Sequence, residues 1–282
     1  MAKPRSPASK QRPGKVRLPQ SRRRMNVRAA CRVAALQMVS TADRDENLAL
    51  AGELIAEAAG AGARLVVLPE NFACMPNREA DRLAVAEPFG GGPIQDFLAN
   101  SARSHSIHLV GGTLPVAGDQ EGRPMQTCLV HDSTGACVAR YDKIHLFDVT
   151  VDAAESRDSY RESDYTTPGS QIVLTDTPAG RLGIAVCYDL RFPEVFRDLL
   201  DGGMECVAVP AAFTEVTGRA HWEVLLRSRA IENLSWVIAA GQGGRHPNGR
   251  ETFGHTMIVD PWGEIVNQIE QGPGVVLADV DP

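Results

Sequence analysis

The sequence predicts an α/β protein whose short strands and amphipathic helices form layers within one domain. Three observations support this fold class. The N-terminal part alternates strand-like apolar runs with a helical pattern, the middle contains a hairpin pattern, and the C-terminal part alternates again. The chain has 282 residues, enough to bury a large core, and neither a linker nor a strong repeat interrupts residues 31–282. We therefore expect one domain over residues 29–282.

The N-terminal part of this domain is predicted as strand, helix, strand. Apolar residues recur at helical spacing between residues 48 and 59, and Gly60 and Gly62 are expected to end this helix. Pro93 suits the first turn of a second helix. Apolar runs bounded by polar residues predict buried strands at residues 31–38, 64–68 and 107–112.

The later elements are predicted in the same way. Two apolar runs flank residues 132–135 (DSTG), a pattern typical of a hairpin. Residues 148–170 are rich in Asp, Ser and Thr, so we expect a long loop, and long loops within compact domains are usually functional or disordered. Beyond them the sequence predicts helices at 193–200 and 220–234, and strands at 181–186, 206–210, 236–240, 253–259 and 264–268.

Charge is concentrated at the N-terminus, where residues 1–24 contain nine Lys or Arg and no acidic residue. Because the net charge of the whole chain is −6, the remainder carries −15, which disfavours a nucleic-acid surface there. The tail also contains four prolines and few apolar residues. We expect residues 1–28 to form a disordered basic tail, with a transit peptide or a basic contact arm as the alternative.

Other sequence features indicate the cellular compartment of the protein and whether it needs a cofactor. No apolar run approaches the roughly 18 residues that span a bilayer, and no secretory signal is evident, so we expect a cytoplasmic protein without a membrane partner. The six cysteines are dispersed, without CxxC or Cys/His ligand spacing. We therefore expect reduced thiols, no metal and no organic cofactor.

Two predicted strands end in a side chain that suits catalysis. Glu70 follows the run LVVLP, where it is either a general base or an ordinary carboxylate at a strand end. Lys143 lies in YDKIHLFD, where it is either a fixed cation for an oxyanion or a solvated partner of a neighbouring aspartate. The nearby His145 is expected to be structural. Taken alone, the Glu70 segment favours an ordinary strand-end carboxylate, and the Lys143 segment favours a solvated lysine.

A third strand, in GIAVCYDLRFPE, ends at Cys187 shortly before a predicted helix. This arrangement resembles a nucleophile elbow, in which a turn lifts the side chain off the sheet and backbone N–H groups face an oxyanion. A helix start is also expected to lower the pKa of the thiol. The alternative is a buried structural cysteine, which the neighbouring charges of Asp189 and Arg191 disfavour.

The three segments VVLPENF, YDKIHLFD and GIAVCYDLRFPE, in this order, resemble the nitrilase or carbon–nitrogen hydrolase superfamily, and the resemblance extends from about residue 31 to the end. It implies a single-domain αββα four-layer sandwich of the nitrilase type and a Glu-Lys-Cys triad that hydrolyses nitriles or non-peptide amides. Matched by position, the triad is Glu70, Lys143 and Cys187. Glu162 matches a second glutamate that the family often carries, and a homodimer or higher homo-oligomer is implied.

The resemblance also implies a mechanism. Glu70 takes the thiol proton, and Cys187 attacks a small-molecule carboxamide. Lys143 and the backbone N–H of Tyr188 stabilise the oxyanion, ammonia leaves, and a thioester is hydrolysed. Glu162 orients Lys143 or the amide.

Further segments indicate which branch of the nitrilase superfamily the chain resembles. Residues 218–223, 229–233 and 254–263 resemble the Nit amidases, and residues 242–246 (QGGRH) resemble the deaminated glutathione amidases within that branch. An ω-amidase acting on α-ketoglutaramate, an N-carbamoyl amino acid hydrolase and a non-catalytic binding protein remain as alternatives. An anionic substrate would need guanidinium groups, for which Arg191, Arg219 and Arg245 are candidates, each with a surface or ion-pair role as the alternative.

Overall fold

The computed structural model describes residues 29–118, 122–152 and 157–281, and the expected basic tail at residues 1–28 lies outside the described residues. The strands are β1 Cys31–Gln37, β2 Leu65–Val67, β3 His108–Val110, β4 Leu114–Val116, β5 Met125–His131, β6 Cys137–Asp142, β7 Asp148–Asp152, β8 Arg157–Arg161, β9 Leu174–Thr177, β10 Gly180–Ile184, β11 Cys206–Ala211, β12 Trp236–Gly241, β13 Gly243–Arg245, β14 Glu251–Phe253, β15 Thr256–Val259, β16 Ile265–Ile269 and β17 Gly274–Val280. The helices are α1 Arg44–Gly60, α2 Pro93–His105, α3 Pro193–Asp201 and α4 Glu215–Asn233, and short 3₁₀ turns occupy Glu79–Val85, Glu162–Asp164 and Cys187–Arg191.

Two mixed sheets contain most of the strands. The first has the order β17-β1-β2-β3-β5-β4, with β6 also paired to β5, and its central strands β1, β2 and β3 are parallel. The second has the order β16-β15-β12-β11-β10-β9, and β10, β11 and β12 are parallel. The parallel strands of each sheet are connected through helices, as expected for crossover connections.

Strand β1 shows why the sheets stack. All of its residues except Arg32 are buried, so the strand is covered on both faces. Val33 and Ala35 join a core that includes residues of the second sheet, whereas Ala34 and Leu36 pack with residues of α1 and α2. The period-two alternation of a strand therefore places neighbouring residues in two separate cores.

The helices cover the outer faces of the two sheets. α1 and α2 share a core with the outer face of the first sheet, through residues such as Ile55 and Leu98. α3 and α4 cover the second sheet through Phe196, Trp222 and Leu226. The layers are helix, sheet, sheet, helix, and the predicted αββα four-layer sandwich is confirmed.

Local signals in the sequence account for the helix ends. Asp43 caps α1 by accepting hydrogen bonds from the backbone N–H groups of Asp45 and Glu46. Pro93 and Pro193 each occupy the first turn of a helix, as predicted. Among the residues that the structure describes, no helix is both long and apolar enough to cross a membrane.

The prediction of a long loop at residues 148–170 is wrong in its first part. β7 and β8 pair as an antiparallel hairpin, and the turn Glu162–Asp164 follows it directly. The strand pattern was hard to detect because β7 reads DVTVD and β8 reads RDSYR, with few apolar residues. The pairing runs from Asp148 and Arg161 to Asp152 and Arg157.

Candidate active site

The three predicted catalytic side chains converge on one cavity of about 360 Å³. Glu70 follows β2, Lys143 follows β6 directly, and Cys187 lies just after β10. All three residues are buried, and all three line the cavity together with Glu162 and Tyr188. The cavity is of the size that holds a small molecule.

Lys143 is the centre of the charge arrangement. Its Nζ donates to Glu70 Oε1 at 2.8 Å and to Glu162 Oε2 at 2.9 Å. Glu162 Oε2 also accepts from the backbone N–H of Phe147 at 2.7 Å, which fixes the second carboxylate. The single ammonium group is thus held by two carboxylates, and the Lys143 side chain is only 2% exposed.

Cys187 occupies a strained turn. Its φ is 48°, a left-handed conformation that non-glycine residues seldom adopt and that surrounding structure has to impose. The buried carboxylate of Asp189 supplies that restraint, because it accepts from the backbone N–H of Val186 at 2.8 Å and from the Tyr141 hydroxyl at 2.6 Å. The backbone N–H of His145 donates to the same carboxylate at 3.0 Å.

Burial and neighbouring charges set the protonation states. Burial alone would raise the pKa of Glu70, but the Lys143 ammonium outweighs it and lowers that pKa below the ordinary value. Burial would likewise lower the pKa of Lys143, but Glu162 and Glu70 raise it well above its ordinary value. Glu70 is therefore a carboxylate and Lys143 an ammonium at neutral pH.

The thiol differs from the prediction made from the sequence. Burial first, and the Glu70 carboxylate next, raise the pKa of Cys187 well above its ordinary value, although Lys143 opposes them. The expected lowering by a helix start is wrong, because the turn that begins at Cys187 is a short 3₁₀ segment in a desolvated site beside a carboxylate. The resting site therefore pairs a neutral thiol with an ionised base.

Several polar residues that the sequence analysis did not single out support the base. Gln242 Nε2 donates to the backbone carbonyl of Glu70 at 3.0 Å. Asn71, with a φ of 58°, accepts from Arg82 NH1 at 2.6 Å and from Gln126 Nε2 at 3.0 Å through its side-chain oxygen. These hydrogen bonds hold the backbone carbonyl of Glu70 and the side chain of the residue that follows it.

One sequence signal could have distinguished Lys143 from an ordinary surface lysine. Beyond residue 15 it is the only lysine in the chain, since every other basic residue in that part is an arginine or a histidine. A lone lysine among apolar neighbours is a position where a compact ammonium, rather than a planar guanidinium, is required.

The structure does not bring the three predicted substrate-binding arginines into the cavity. Arg219 pairs with Glu215 on the solvent face of α4, and Arg245 lies 3.9 Å from Glu251 on β14, with side chains that are 76% and 78% exposed. The expectation that they face the cavity is wrong, because both project from surface elements. Arg191 lies outside the cavity lining, with its guanidinium over the rings of Tyr188 and Phe213 at 5.8 and 5.5 Å.

Three other arginines line the cavity instead, and one of them, Arg161, is exposed to solvent. Arg82, in the 3₁₀ turn Glu79–Val85, is buried and pairs with Glu79 at 2.5 Å. Arg250 follows the tight turn after β13, and its NH1 lies 3.5 Å from Glu79. None of the three was predicted, because none lies within the three motifs.

The matches to known proteins agree with this geometry. Residues 32–282 match the family described as carbon-nitrogen hydrolase, and the chain belongs to that family. It is therefore a hydrolase that acts on non-peptide carbon–nitrogen bonds. The expected place in the nitrilase superfamily is confirmed.

The chain is also similar to particular members of this superfamily. The chain is 45% identical over 237 residues to deaminated glutathione amidase of Yersinia enterocolitica, covering 84% of this chain and 82% of that protein. The C. elegans NitFhit protein superposes with a TM-score of 0.82 at 36% identity, covering 90% of this chain, and this chain spans 61% of that one. Nit3 of Saccharomyces cerevisiae, a member of branch 10 of the nitrilase superfamily, superposes with a TM-score of 0.80 at 30% identity, covering 90% and 91%.

Proposed function

We propose that this chain is a thiol amidase that hydrolyses deaminated glutathione, with Cys187 as nucleophile, Glu70 as general base and Lys143 as oxyanion partner. The observation that carries the proposal is the position of the Lys143 ammonium. It contacts Glu70 at 2.8 Å and Glu162 at 2.9 Å, beside the buried Cys187, within one cavity. This arrangement supplies a base, a fixed positive charge and a nucleophile at the same point.

Acylation begins from a neutral thiol. As Cys187 Sγ attacks the amide carbon, its proton passes to the Glu70 carboxylate, so a free thiolate is not required beforehand. The carbonyl oxygen becomes an oxyanion next to the Lys143 ammonium and the backbone N–H of Tyr188. Glu70 then returns the proton to the leaving nitrogen, the carbon–nitrogen bond breaks, and a thioester to Cys187 remains.

Deacylation reverses these roles. Glu70 takes a proton from a water molecule, the hydroxide attacks the thioester carbon, and the Cys187 sulfur leaves and regains a proton. Glu162 holds Lys143 in place throughout, because its carboxylate keeps a 2.9 Å contact with the ammonium while Glu70 exchanges protons. Glu162 is thus proposed as a positioning residue that keeps the ammonium aligned.

The substrate assignment is supported by the named relative and by the size of the cavity. Deaminated glutathione consists of a 2-oxoglutaryl group joined through an amide to cysteinylglycine, so the group that leaves is the amine of a dipeptide. The expectation from the sequence that ammonia leaves therefore applies only to a primary amide such as α-ketoglutaramate, the substrate of the alternative ω-amidase hypothesis. A cavity of about 360 Å³ suits an acyl group of this size.

Steady-state kinetics with three compounds, measured on one purified preparation, test the proposal. We expect kcat/KM to be higher for deaminated glutathione than for α-ketoglutaramate and far higher than for an N-carbamoyl amino acid. Cys187→Ala should retain the fold, measured by circular dichroism, and lose turnover by several orders of magnitude. Faster hydrolysis of α-ketoglutaramate would replace the lead substrate, and substantial turnover by folded Cys187→Ala would refute the mechanism.

Self-association and cellular location belong to the same proposal. A homodimer or higher homo-oligomer, implied by the family resemblance, predicts a sedimentation mass at least twice that of the 30.3 kDa chain. A monomer at micromolar concentration would contradict it. The cytoplasmic location predicted from the sequence is tested by fractionating cells that produce the full chain.

A further inference from the structure

We propose that Arg250 is the specificity-determining residue that binds the carboxylate of the substrate's acyl group, an inference that rests on the proposed function. Arg250 lines the cavity and lies close enough to Glu70 to help lower the pKa of that carboxyl. An acyl chain that ends in a carboxylate would share this cavity with the guanidinium. No sequence motif of the active site includes this residue.

Arg161 also lines the cavity but is exposed to solvent, and the two buried cations are already engaged. Lys143 is held between Glu70 and Glu162. Arg82 is buried, donating to Asn71 at 2.6 Å and to Glu79 at 2.5 Å. Neither group can turn toward a substrate without leaving a buried carboxylate or amide unpaired, which is costly.

Arg250 is engaged much more weakly. Its NH1 lies 3.5 Å from Glu79 Oε1 and 4.0 Å from Met75 Sδ, both long contacts, and its guanidinium lies 5.6 Å from the centre of the Tyr160 ring. Its Nε is buried and makes no hydrogen bond to any described residue. Nε and a terminal nitrogen form the planar fork that binds a carboxylate with two parallel hydrogen bonds.

The backbone that carries Arg250 is fixed, so the fork is held in place before a ligand binds. The backbone N–H of His246 donates to the Arg250 carbonyl at 2.8 Å, and the Arg250 N–H donates to Asn248 Oδ1 at 3.0 Å. Asn248 Nδ2 in turn donates to the carbonyl of Pro76 at 2.8 Å, which ties this turn to the segment preceding Glu79. A preorganised donor loses little entropy on binding.

The acyl part of the substrate is the part that this guanidinium suits. After the first step the acyl group remains on Cys187 while the amine departs, so a cation near Glu70 contacts the acyl group through both steps. Two terms then favour an anionic acyl chain over a neutral chain of the same length. The carboxylate gains charge-assisted hydrogen bonds, and the neutral chain leaves the buried Nε unpaired.

The test compares glutaramate with butyramide, a carboxylate-bearing and a neutral primary amide that share ammonia as the leaving group. Deaminated glutathione is assayed in parallel, and kcat and KM are measured for wild type, Arg250→Gln and Arg250→Lys. We expect Arg250→Gln to lower kcat/KM for glutaramate about 10- to 100-fold relative to its effect on butyramide, mainly through KM. Arg250→Lys should recover part of that ratio, because it keeps the charge and loses the fork.

The matched control is Arg44→Gln, which removes an arginine paired with Asp45 at 2.7 Å on the surface of α1 and should leave the ratio unchanged. Equal losses on both amides, or no loss on glutaramate, would overturn the role of Arg250 while leaving the proposed function intact. Wild-type hydrolysis of glutaramate without hydrolysis of deaminated glutathione would refute the proposed function alone. If the wild type hydrolyses neither glutaramate nor deaminated glutathione, both the proposed function and the role of Arg250 are refuted.

Discussion

The side-chain amide of Gln242 donates a hydrogen bond to the backbone carbonyl of Glu70 at 3.0 Å, although the two residues are 172 positions apart in the chain. The same Nε2 donates to Ser40 Oγ at 2.8 Å, and Gln242 Oε1 accepts from the Ser40 backbone N–H at 3.0 Å. Gln242 directly follows β12 of the second sheet, whereas Ser40 and Glu70 belong to the first half of the sandwich. This side chain therefore joins the two sheets at the general base.

Replacing Gln242 by methionine should weaken both stability and catalysis. The substitution keeps the approximate volume but leaves the Glu70 carbonyl and the Ser40 N–H buried without their partner, at a cost of about 1–3 kcal/mol in the free energy of unfolding. We expect a lower Tm in calorimetry and a lower kcat, because the base is less firmly placed. Gln171→Met is the control, since Gln171 is exposed, and an equal fall in both variants would contradict the assigned role.

The elements of this fold were predictable where one local pattern decided them. Residues 31–38 gave the position of β1, and Pro93 gave the first residue of α2. The triad positions came from the match of three motifs to a family, not from periodicity. The structure shows why these motifs work together, since each one ends a strand at the same cavity.

The remaining parts depend on contacts that no local pattern encodes. Arg250 reaches the cavity through a turn whose Asn248 is hydrogen-bonded to Pro76, 172 positions before Asn248, so spacing along the chain could not reveal it. The raised pKa of Cys187 depends on burial and on Glu70, which follows a strand of the other sheet. Arg219 and Arg245 have the right chemistry for an anion, but their surface elements direct them to solvent.

Removing Lys143 should destabilise the fold in a pH-dependent way. Lys143→Met leaves Glu70 and Glu162 without their cation, and breaking one partner of a buried pair costs about 3–5 kcal/mol. With the ammonium gone, burial would raise the folded-state pKa of Glu70 above its unfolded value, so the folded state would bind more protons. Stability must then fall as pH rises between those two values.

Thermal unfolding at about pH 5 and about pH 8 measures this effect. The Tm difference between wild type and Lys143→Met should be larger at the higher pH, and turnover should be lost at both. Arg44→Met is the control, because it breaks an exposed pair with Asp45 at 2.7 Å and should have little effect. A Tm difference that is independent of pH would show that Glu70 does not respond to the missing charge.

Removal of residues 1–28 should leave the enzyme unchanged. The match to the hydrolase family begins at residue 32, and β1 begins at Cys31. The shortened chain is therefore expected to retain the Tm and the kcat/KM of the full chain. A large decrease in either value would show that the basic segment contributes to the fold or to the site.

Replacing Glu70 by glutamine should lower the pKa of Cys187 while abolishing amidase activity. In the wild type, burial and the Glu70 carboxylate raise the thiol pKa, and Lys143 lowers it. Removing the negative charge leaves the ammonium 2.8 Å from a neutral amide, so its stabilisation of a thiolate is less opposed. The thiolate should then form at a lower pH, although no base remains to accept the proton during attack or to activate water.

Alkylation by iodoacetamide across a pH series measures this shift, with mass spectrometry of the peptide that contains Cys187 to separate it from the exposed Cys137. We expect the midpoint of Cys187 alkylation to move to lower pH in Glu70→Gln, with no labelling of that peptide in Cys187→Ala. A midpoint that stays in place or moves to higher pH would show that Glu70 does not hold the thiol in its protonated state. Proton transfer from Cys187 to Glu70 during the attack would then lose its electrostatic basis.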